Sequence, residues 1–213
     1  MGSWITYYQQ EINKAGGIKL YFSKKIKEHS VLLKHIIKYS PSQGRIFEAG
    51  CGTAILSIFL ENQGFQVTAL DNDENMLQLA AEIAACFPKK PKLIKGNLLS
   101  LNLPENYFDI AFSHGVLEHF DREDVIKIIN NQLKIAKIVI FVVPSNYFKE
   151  KDKIHGDEHL LSIKQWQDII GATNGRLTEK FGYYHFQNNL KPWLYRIFKI
   201  SIPPYIGFVI SKK

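Results

Sequence analysis

Short apolar segments with strand character alternate with amphipathic helical segments along most of this chain. A helical region at 5–39 comes first, and parallel strands need crossover connections that helices usually supply. Strands are predicted at 45–50, 66–71, 91–97, 107–115, 137–144, 177–186 and 204–213, and further helices at 53–64, 73–87, 122–135 and 161–175. This order favours an α/β fold with a parallel sheet and helices on both of its faces.

The length and composition are typical of one globular domain. The 213 residues are 46% hydrophobic and 22% charged, so the chain can bury roughly 70% of its unfolded surface. The first thirty residues carry no apolar leader, and the longest strongly apolar run, 138–143, is too short to cross a bilayer. The two cysteines, Cys51 and Cys86, form neither a disulfide framework nor a metal spacing. We therefore expect a soluble cytoplasmic protein.

The net charge of +7 and pI near 9.2 raise the question of an anionic partner. Only 4 of the 27 basic residues are arginine, and the lysines are spread along the whole chain. Phosphate recognition more often recruits clustered arginine. A nucleic-acid partner is therefore not favoured.

The stretch "FEAGCGTAILS" at 47–57 places Glu48 two residues ahead of Gly50, with Gly52 following, between a predicted strand and a predicted helix. A dinucleotide site would want a third glycine, but Ala54 and Ile55 follow Gly52 instead. A carboxylate before the turn opposes a pyrophosphate, which prefers backbone N–H groups and a helix N-terminus. The turn therefore suits a cationic nucleoside better than a dinucleotide.

Two further polar residues close neighbouring strands. Asp71 ends the second strand, 19 positions after Gly52, and Asn97 ends the third. Ligands of such sheets bind at the carboxyl ends of the strands, and an acid at this spacing can accept hydrogen bonds from ribose hydroxyls. We therefore expect a ligand that contains a ribose.

These motifs resemble those of class I S-adenosylmethionine-dependent methyltransferases of the small-molecule type. The resemblance rests on "FEAGCGTA", "ALDND" and "KGNLLSLNLPENYFDIAFSHGVLEHF", and runs from about Arg45 to Pro144. Two positions depart from the pattern: Ala54 stands where a third glycine is often found, and Asn97 where an aspartate near the adenine is common. Asparagine keeps an acceptor and adds a donor.

The resemblance implies S-adenosylmethionine as the cofactor and a Rossmann-like doubly wound sheet of seven strands, mostly parallel, with an antiparallel C-terminal strand. It also implies a single domain with a helical lid at 1–40, a cofactor-binding half at 45–144, and substrate-side elements at 145–213. The cofactor-binding residues that it implies are Glu48, Gly50, Cys51, Gly52, Asp71, Asn72, Met76, Asn97, Leu98, Ser113 and His114. No metal is expected.

His114 is the candidate general base, because it directly follows the fourth strand, where such folds bring acceptor and methyl group together. A role in hydrogen bonding to the cofactor or backbone is as well supported. Cys51 is predicted to pack rather than react, because no base lies nearby in sequence. The stretch 155–160, "HGDEHL", has a His-x-x-x-His spacing, but Gly156 favours a solvated or substrate-facing loop. His119 is predicted to support the loop after the fourth strand.

Segments outside the cofactor half should select the acceptor. Tyr7, Tyr8 and Tyr21 of the lid can meet the cofactor carboxylate or the substrate, and 145–160 is a second candidate. The third, 186–204, combines Trp193, Tyr195 and Phe198 with Lys191, Arg196 and Lys199. It is compatible with a membrane surface or an apolar substrate, but a helix packed on the sheet is favoured.

Three functions remain under consideration. An enzyme that methylates a small metabolite, in one version with an apolar or isoprenoid portion, is favoured. A non-catalytic cofactor-binding or partner-binding protein is the rival. A nucleic-acid or protein methyltransferase is less favoured, because "SHGV" stands at the fourth strand instead of Asn-Pro-Pro-Tyr or Asp-Pro-Pro-Tyr. The acceptor, the atom that is methylated and the oligomeric state stay open.

Overall fold

A computed structural model of the chain describes residues 4–148, 156–183 and 203–213. The strands are β1 (Arg45–Ala49), β2 (Gln66–Asp71), β3 (Lys92–Lys95), β4 (Phe108–His114), β5 (Ala136–Pro144), β6 (Gly175–Tyr183) and β7 (Tyr205–Lys212). The helices are α1 (Trp4–Lys14), α2 (Ile18–Glu28), α3 (Ser30–Tyr39), α4 (Ile55–Asn62), α5 (Glu74–Ala84), α6 (Arg122–Ile135) and α7 (Ile163–Gly171). Each strand and helix predicted from the sequence overlaps one of these elements.

The helical region predicted at 5–39 consists of three helices. Gly16 and Gly17 have φ values of 85° and 110°, which end α1 and turn the chain into α2. His29 separates α2 from α3. The breaks follow from the left-handed backbone that glycine adopts without a steric penalty.

The seven strands form one sheet in the order β3-β2-β1-β4-β5-β7-β6. The strands from β1 to β5 pair in parallel, whereas β7 runs antiparallel to both β5 and β6. The predicted doubly wound sheet with an antiparallel C-terminal strand is confirmed. The strand order reverses between β1 and β4, so a ligand is expected at their carboxyl ends.

Helices cover both faces of the sheet. On one face, Ile46 of β1 and Ile140 of β5 pack with α3 and α4; on the other, Phe47 and Phe141 pack with α6 and α7. Strand β5 is buried on both sides, which explains why its sequence is continuously apolar instead of alternating.

The N-terminal helices α1 and α2 pack on the helical layer that contains α4 and α5, near the carboxyl ends of the parallel strands. Buried Ile12 of α1 and Tyr21 of α2 pack in one cluster with α4 and α5. This packing holds α1 and α2 beside the turn that follows β1. None of the helices that the structure describes is long and apolar enough to cross a bilayer.

Candidate functional site

A cavity of about 540 Å³ opens where β1, β2 and β4 end. Ten of the residues predicted to bind the cofactor line it: Glu48, Gly50, Cys51, Gly52, Asp71, Asn72, Met76, Asn97, Leu98 and His114. Ser113 does not line the cavity, and its predicted contact with the cofactor stays a prediction. Successive strand residues face opposite sides of the sheet, so when His114 faces the cavity Ser113 is buried at 1% exposure.

The two glycines of the turn are required for reasons other than the approach of a ligand. Gly50 has φ +69°, and a Cβ there would lie 2.7 Å from Cγ2 of Val116, so the loop that follows β4 occupies that space. Gly52 has φ +50°, and its Cβ would be in ordinary contact, 3.5 Å from the Tyr8 hydroxyl. Ala54 has φ 52° and lies at the N-cap of α4 rather than on its first turn. Three left-handed residues therefore shape this turn.

Glu48 is buried, with 4% exposure, and its carboxylate caps α4. The backbone N–H of Ser57 donates to its Oε2 at 3.2 Å, and the Ser57 hydroxyl donates to the same oxygen. Ala54 has no side chain that could satisfy the first N–H groups of the helix, so Glu48 takes that role from β1. Burial raises the pKa of Glu48 to about 8, and the nearby charge of Asp71 adds to the rise. Its predicted attraction for a cationic ligand stays a prediction.

Asp71 holds the glycine turn with one carboxylate oxygen and the turn after β2 with the other. Oδ2 accepts the Gly52 N–H at 2.8 Å, and Oδ1 accepts the Asp73 N–H at 3.0 Å. A carboxylate oxygen has two acceptor positions, so each retains one for a ribose hydroxyl. The exposed residue Asn72 lines the cavity beside it. The site therefore fits the ribose that the sequence predicts.

Asn97 uses its acceptor within the protein. Its Oδ1 accepts the Leu99 N–H at 2.9 Å and caps the short 3₁₀ turn Leu98–Ser100. The amide N–H₂ group can serve as a donor to a ligand, and Oδ1 keeps one further acceptor position. Met76 and Leu98, 2% and 6% exposed, add apolar surface to this part of the cavity.

Cys51 is buried at 6% exposure, and its backbone N–H donates to the Leu70 carbonyl at 2.9 Å. Burial, together with the negative charges of Glu48 and Asp71, raises the pKa of the Cys51 thiol well above its usual range. A neutral thiol is a poor nucleophile. The geometry therefore agrees with the packing role expected for Cys51.

The lid tyrosines line the cavity. Tyr7 and Tyr8 come from α1, and Tyr21 comes from α2. The Tyr21 hydroxyl is hydrogen-bonded to the side chain of Thr53 in the turn after β1, and burial raises the pKa values of both Tyr8 and Tyr21. These phenols therefore stay neutral near pH 7. Helix α2 is thus tied directly to the turn.

His114 ends β4 within an aromatic stack. Its ring centroid lies 4.2 Å from that of His29, at an interplanar angle of 63°, and 6.0 Å from that of Tyr205. His29 is 9% exposed, and both neighbours line the cavity together with Phe148. The three rings come from β4, β7 and the α2–α3 junction, so they form one wall from parts of the chain distant in sequence.

Acidic residues line the cavity beside this wall. Asp157 and Glu158 lie there, as expected for a substrate-facing loop, and Asp157 Oδ1 is 2.9 Å from His119 Nδ1. Glu118 is 4% exposed, and burial raises its pKa to about 8, with the charges of Glu158 and Asp157 adding to the rise. His155 lies outside the described residues, as do 149–154 and the Trp193, Tyr195 and Phe198 cluster.

Residues 47–141 match the family model described as a methyltransferase domain. Residues 47–141 therefore carry a methyltransferase domain. Its fold is similar to that of an S-adenosylmethionine-dependent methyltransferase from Clostridium acetobutylicum, with a TM-score of 0.67 at 13% identity over 87% of this chain and 91% of that one. Magnesium protoporphyrin IX methyltransferase from Synechocystis, solved with bound S-adenosylmethionine, gives 0.62 at 14% identity over 91% and 81%.

Among curated proteins, the chain is 31% identical over 153 residues to ribosomal protein L11 methyltransferase from Campylobacter concisus. The match covers 69% of this chain and 52% of the relative. The chain spans about half the length of the curated relatives that it matches first. The predicted methyltransferase family is confirmed for residues 47–141, and S-adenosylmethionine is the cofactor that this family implies.

Several cavity residues of the methyltransferase domain were not identified from the sequence. They are Trp4, Lys25, Glu28, His29, Thr53, Phe120, Phe148 and Tyr205. Most lie outside the motifs and reach the cavity through packing between distant elements. The one local signal is at His29, where a polar residue interrupts the helical periodicity of 5–39.

Proposed function

We propose that the protein transfers a methyl group from S-adenosylmethionine to a small-molecule acceptor by in-line displacement. The observation that carries this proposal is that one cavity holds both the residues suited to the cofactor and the wall around His114. Its volume of about 540 Å³ lies within the range of roughly 300 to 1,000 Å³ usual for small-ligand sites. Aromatic residues of α1 and α2 line it, which favours an acceptor that enters as a small molecule.

The described residues fit the cofactor. Asp71 keeps one acceptor position on each oxygen for the ribose, and Asn97 offers a donor to the adenine. The carboxylate of Glu48, when ionised, attracts the positive end of the molecule. The cofactor supplies an activated methyl group on a sulfonium, so little covalent chemistry is asked of the protein.

Alignment is then the main contribution of the protein. Holding two reactants in line can lower a barrier by about 7 to 11 kcal/mol. His114 is placed at the end of β4 to orient the acceptor, and to take its proton when the acceptor enters protonated. The contacts with His29 and Tyr205 fix the plane of its ring.

Two alternatives are weighed against this proposal. The name of the Campylobacter relative states a protein acceptor for that enzyme, but here the aromatic residues of α1 and α2 oppose entry of a bulky acceptor. A non-catalytic binding protein would keep the same cofactor residues without turnover. The free cysteines Cys51 and Cys86 suit a reducing compartment, so we place the reaction in the cytoplasm. A nucleic-acid or membrane partner is not favoured.

Calorimetric titration with S-adenosylhomocysteine, with NAD as a control ligand, tests the cofactor. We expect saturable binding of the first ligand alone. Asp71→Ala should weaken that binding by at least about tenfold, because hydrogen bonds to a charged acceptor are lost. Asp168→Ala, on the exposed face of α7, should bind like the wild type.

Turnover is tested by release of S-adenosylhomocysteine from S-adenosylmethionine with a panel of small acceptors. Release that depends on an acceptor supports the enzyme. Cofactor binding without release across oxygen, nitrogen, carbon and sulfur acceptors would favour the non-catalytic alternative. A folded protein that binds neither S-adenosylmethionine nor S-adenosylhomocysteine would contradict the proposal altogether.

A further inference from the structure

We propose that His119, Asp157 and Glu158, beside the buried acid Glu118, form a binding site for a divalent metal cation in the acceptor part of the cavity. All four line the cavity. Ligand atoms of His119, Asp157 and Glu158 lie within 4.8 Å of one another. The cation site goes beyond the methyl transfer proposed above. It depends on that proposed function only in that we place it in the part of the cavity where the acceptor would bind.

The shortest pair in this group is joined by a hydrogen bond. His119 Nδ1 and Asp157 Oδ1 are 2.9 Å apart. Neighbouring ligands of an octahedral ion with bonds of about 2.1 Å lie about 3 Å from each other. The two atoms can therefore ligate one ion when that ion displaces the proton that they share, which is released to solvent.

Glu118 gives an independent indication of a missing cation. Its side chain is 4% exposed, and its Oε2 is buried without a hydrogen-bond partner. An unsatisfied carboxylate oxygen in a buried position is costly.

The backbone holds the two halves of the site together. His159 N–H donates to the Glu118 carbonyl at 2.7 Å, which ties the 3₁₀ turn Leu117–His119 to the loop that carries Asp157 and Glu158. The His119 ring also packs edge-on against Trp4, with centroids 5.7 Å apart. The ligand set is therefore positioned before any ion arrives.

The chemistry of the donors limits the ion. Carboxylate oxygens suit Mg²⁺, Ca²⁺ and Mn²⁺, whereas an imidazole adds affinity for transition metals. Mn²⁺ satisfies both preferences and is the probe of choice. Asp157, with a side chain 61% exposed, gives the ion access, and positions that the protein leaves open can take water or an oxygen atom of the acceptor.

The test is titration of the untagged protein with MnCl₂ alone. The free Mn²⁺ is measured by electron paramagnetic resonance at each step. We expect one saturable Mn²⁺ site per chain. Asp157→Asn and Glu118→Gln should each weaken it by at least about tenfold. Glu123→Gln, an exposed acid on α6 near the same turn, should bind like the wild type.

Absence of saturable Mn²⁺ binding at millimolar concentration would overturn the site. So would equal affinity in the wild type, Asp157→Asn and Glu118→Gln. Because Asp157 is exposed, its variant should fold even where Glu118→Gln does not. S-adenosylhomocysteine binding, measured on the same samples, separates the cation site from the proposed methyl transfer. A protein that binds Mn²⁺ but not S-adenosylhomocysteine would contradict only the methyl transfer.

Discussion

The buried carboxyl of Glu48 should make the protein less stable as the pH rises through the neutral range. Burial raises its pKa from 4.5 to about 8 in the folded protein, against the lowering effect of the Ser57 hydrogen bonds. The unfolded chain has the ordinary value. Between about pH 4.5 and 8 the folded state therefore binds more protons, and stability is lost as the pH increases.

The size of this effect follows from the pKa change. One pKa unit corresponds to about 1.4 kcal/mol, so a rise from 4.5 to about 8 gives an upper value near 5 kcal/mol. Relaxation and water penetration reduce the cost of a buried charge, so we expect about 2 to 5 kcal/mol between pH 4 and pH 9. Glu118 adds a similar slope to the wild type, so only a difference between variants isolates Glu48.

Glu48→Gln provides that difference. The amide oxygen of glutamine can still accept both hydrogen bonds from Ser57, but the side chain does not ionise. The free energy of unfolding, from urea titrations between pH 5 and pH 9, should therefore rise in the variant relative to the wild type as the pH increases. Glu82→Gln, on the exposed face of α5, should differ from the wild type by a constant amount.

A constant difference between Glu48→Gln and the wild type would refute the reasoning. Cofactor affinity gives a second readout: in the wild type it should increase towards pH 8, because an ionised Glu48 attracts a sulfonium or ammonium group. Glu48→Gln should lack that increase. If both proteins show the same flat profile, Glu48 serves only to cap α4.

Three further substitutions test other parts of the site. Gly50→Ala should lower the free energy of unfolding in urea by about 2 to 5 kcal/mol, because the new Cβ would lie 2.7 Å from Val116 and the backbone has φ +69°. Val116→Ala in the same chain should restore about 1 to 3 kcal/mol, and no recovery would show that the whole cost lies in the backbone conformation. His114→Phe keeps an aromatic ring but loses the nitrogens, so kcat should fall at least about a hundredfold for a protonated acceptor; an unchanged kcat would exclude His114 as the base. Asn97→Asp keeps an oxygen that accepts the Leu99 N–H but loses the amide donor, so the affinity for S-adenosylhomocysteine, measured by calorimetry, should weaken by up to about tenfold. Tighter binding would contradict the donor role of Asn97.

The sequence was sufficient for the elements that local patterns define. Apolar strands and amphipathic helices carry their own periodicity, and Glu48, Asp71 and Asn97 each close a strand, so they had to meet at one edge of a parallel sheet. The break between α1 and α2 is also written locally, at Gly16 and Gly17.

The rest depends on packing between distant parts of the chain. His29 reaches His114 only because α2 and α3 lie where β4 ends, and Tyr205 does so because β7 inserts beside β5. The space beside Gly50 is taken by Val116, which no local pattern reveals. Ser113 is a different case, since the alternation of strand residues already implied that it and His114 face opposite sides.

The residues that shape the turn after β1 are also the residues suited to the cofactor. Asp71 holds the Gly52 N–H while keeping acceptor positions for a ribose, and Glu48 caps α4 from within the cavity. The turn is thus held in its binding geometry by groups that need not move when the ligand arrives, which lowers the cost of binding. It follows that Asp71 or Glu48 variants should lose affinity partly through the turn. A loss of binding at either residue therefore measures a direct contact only after the change in unfolding free energy of the same variant has been taken into account.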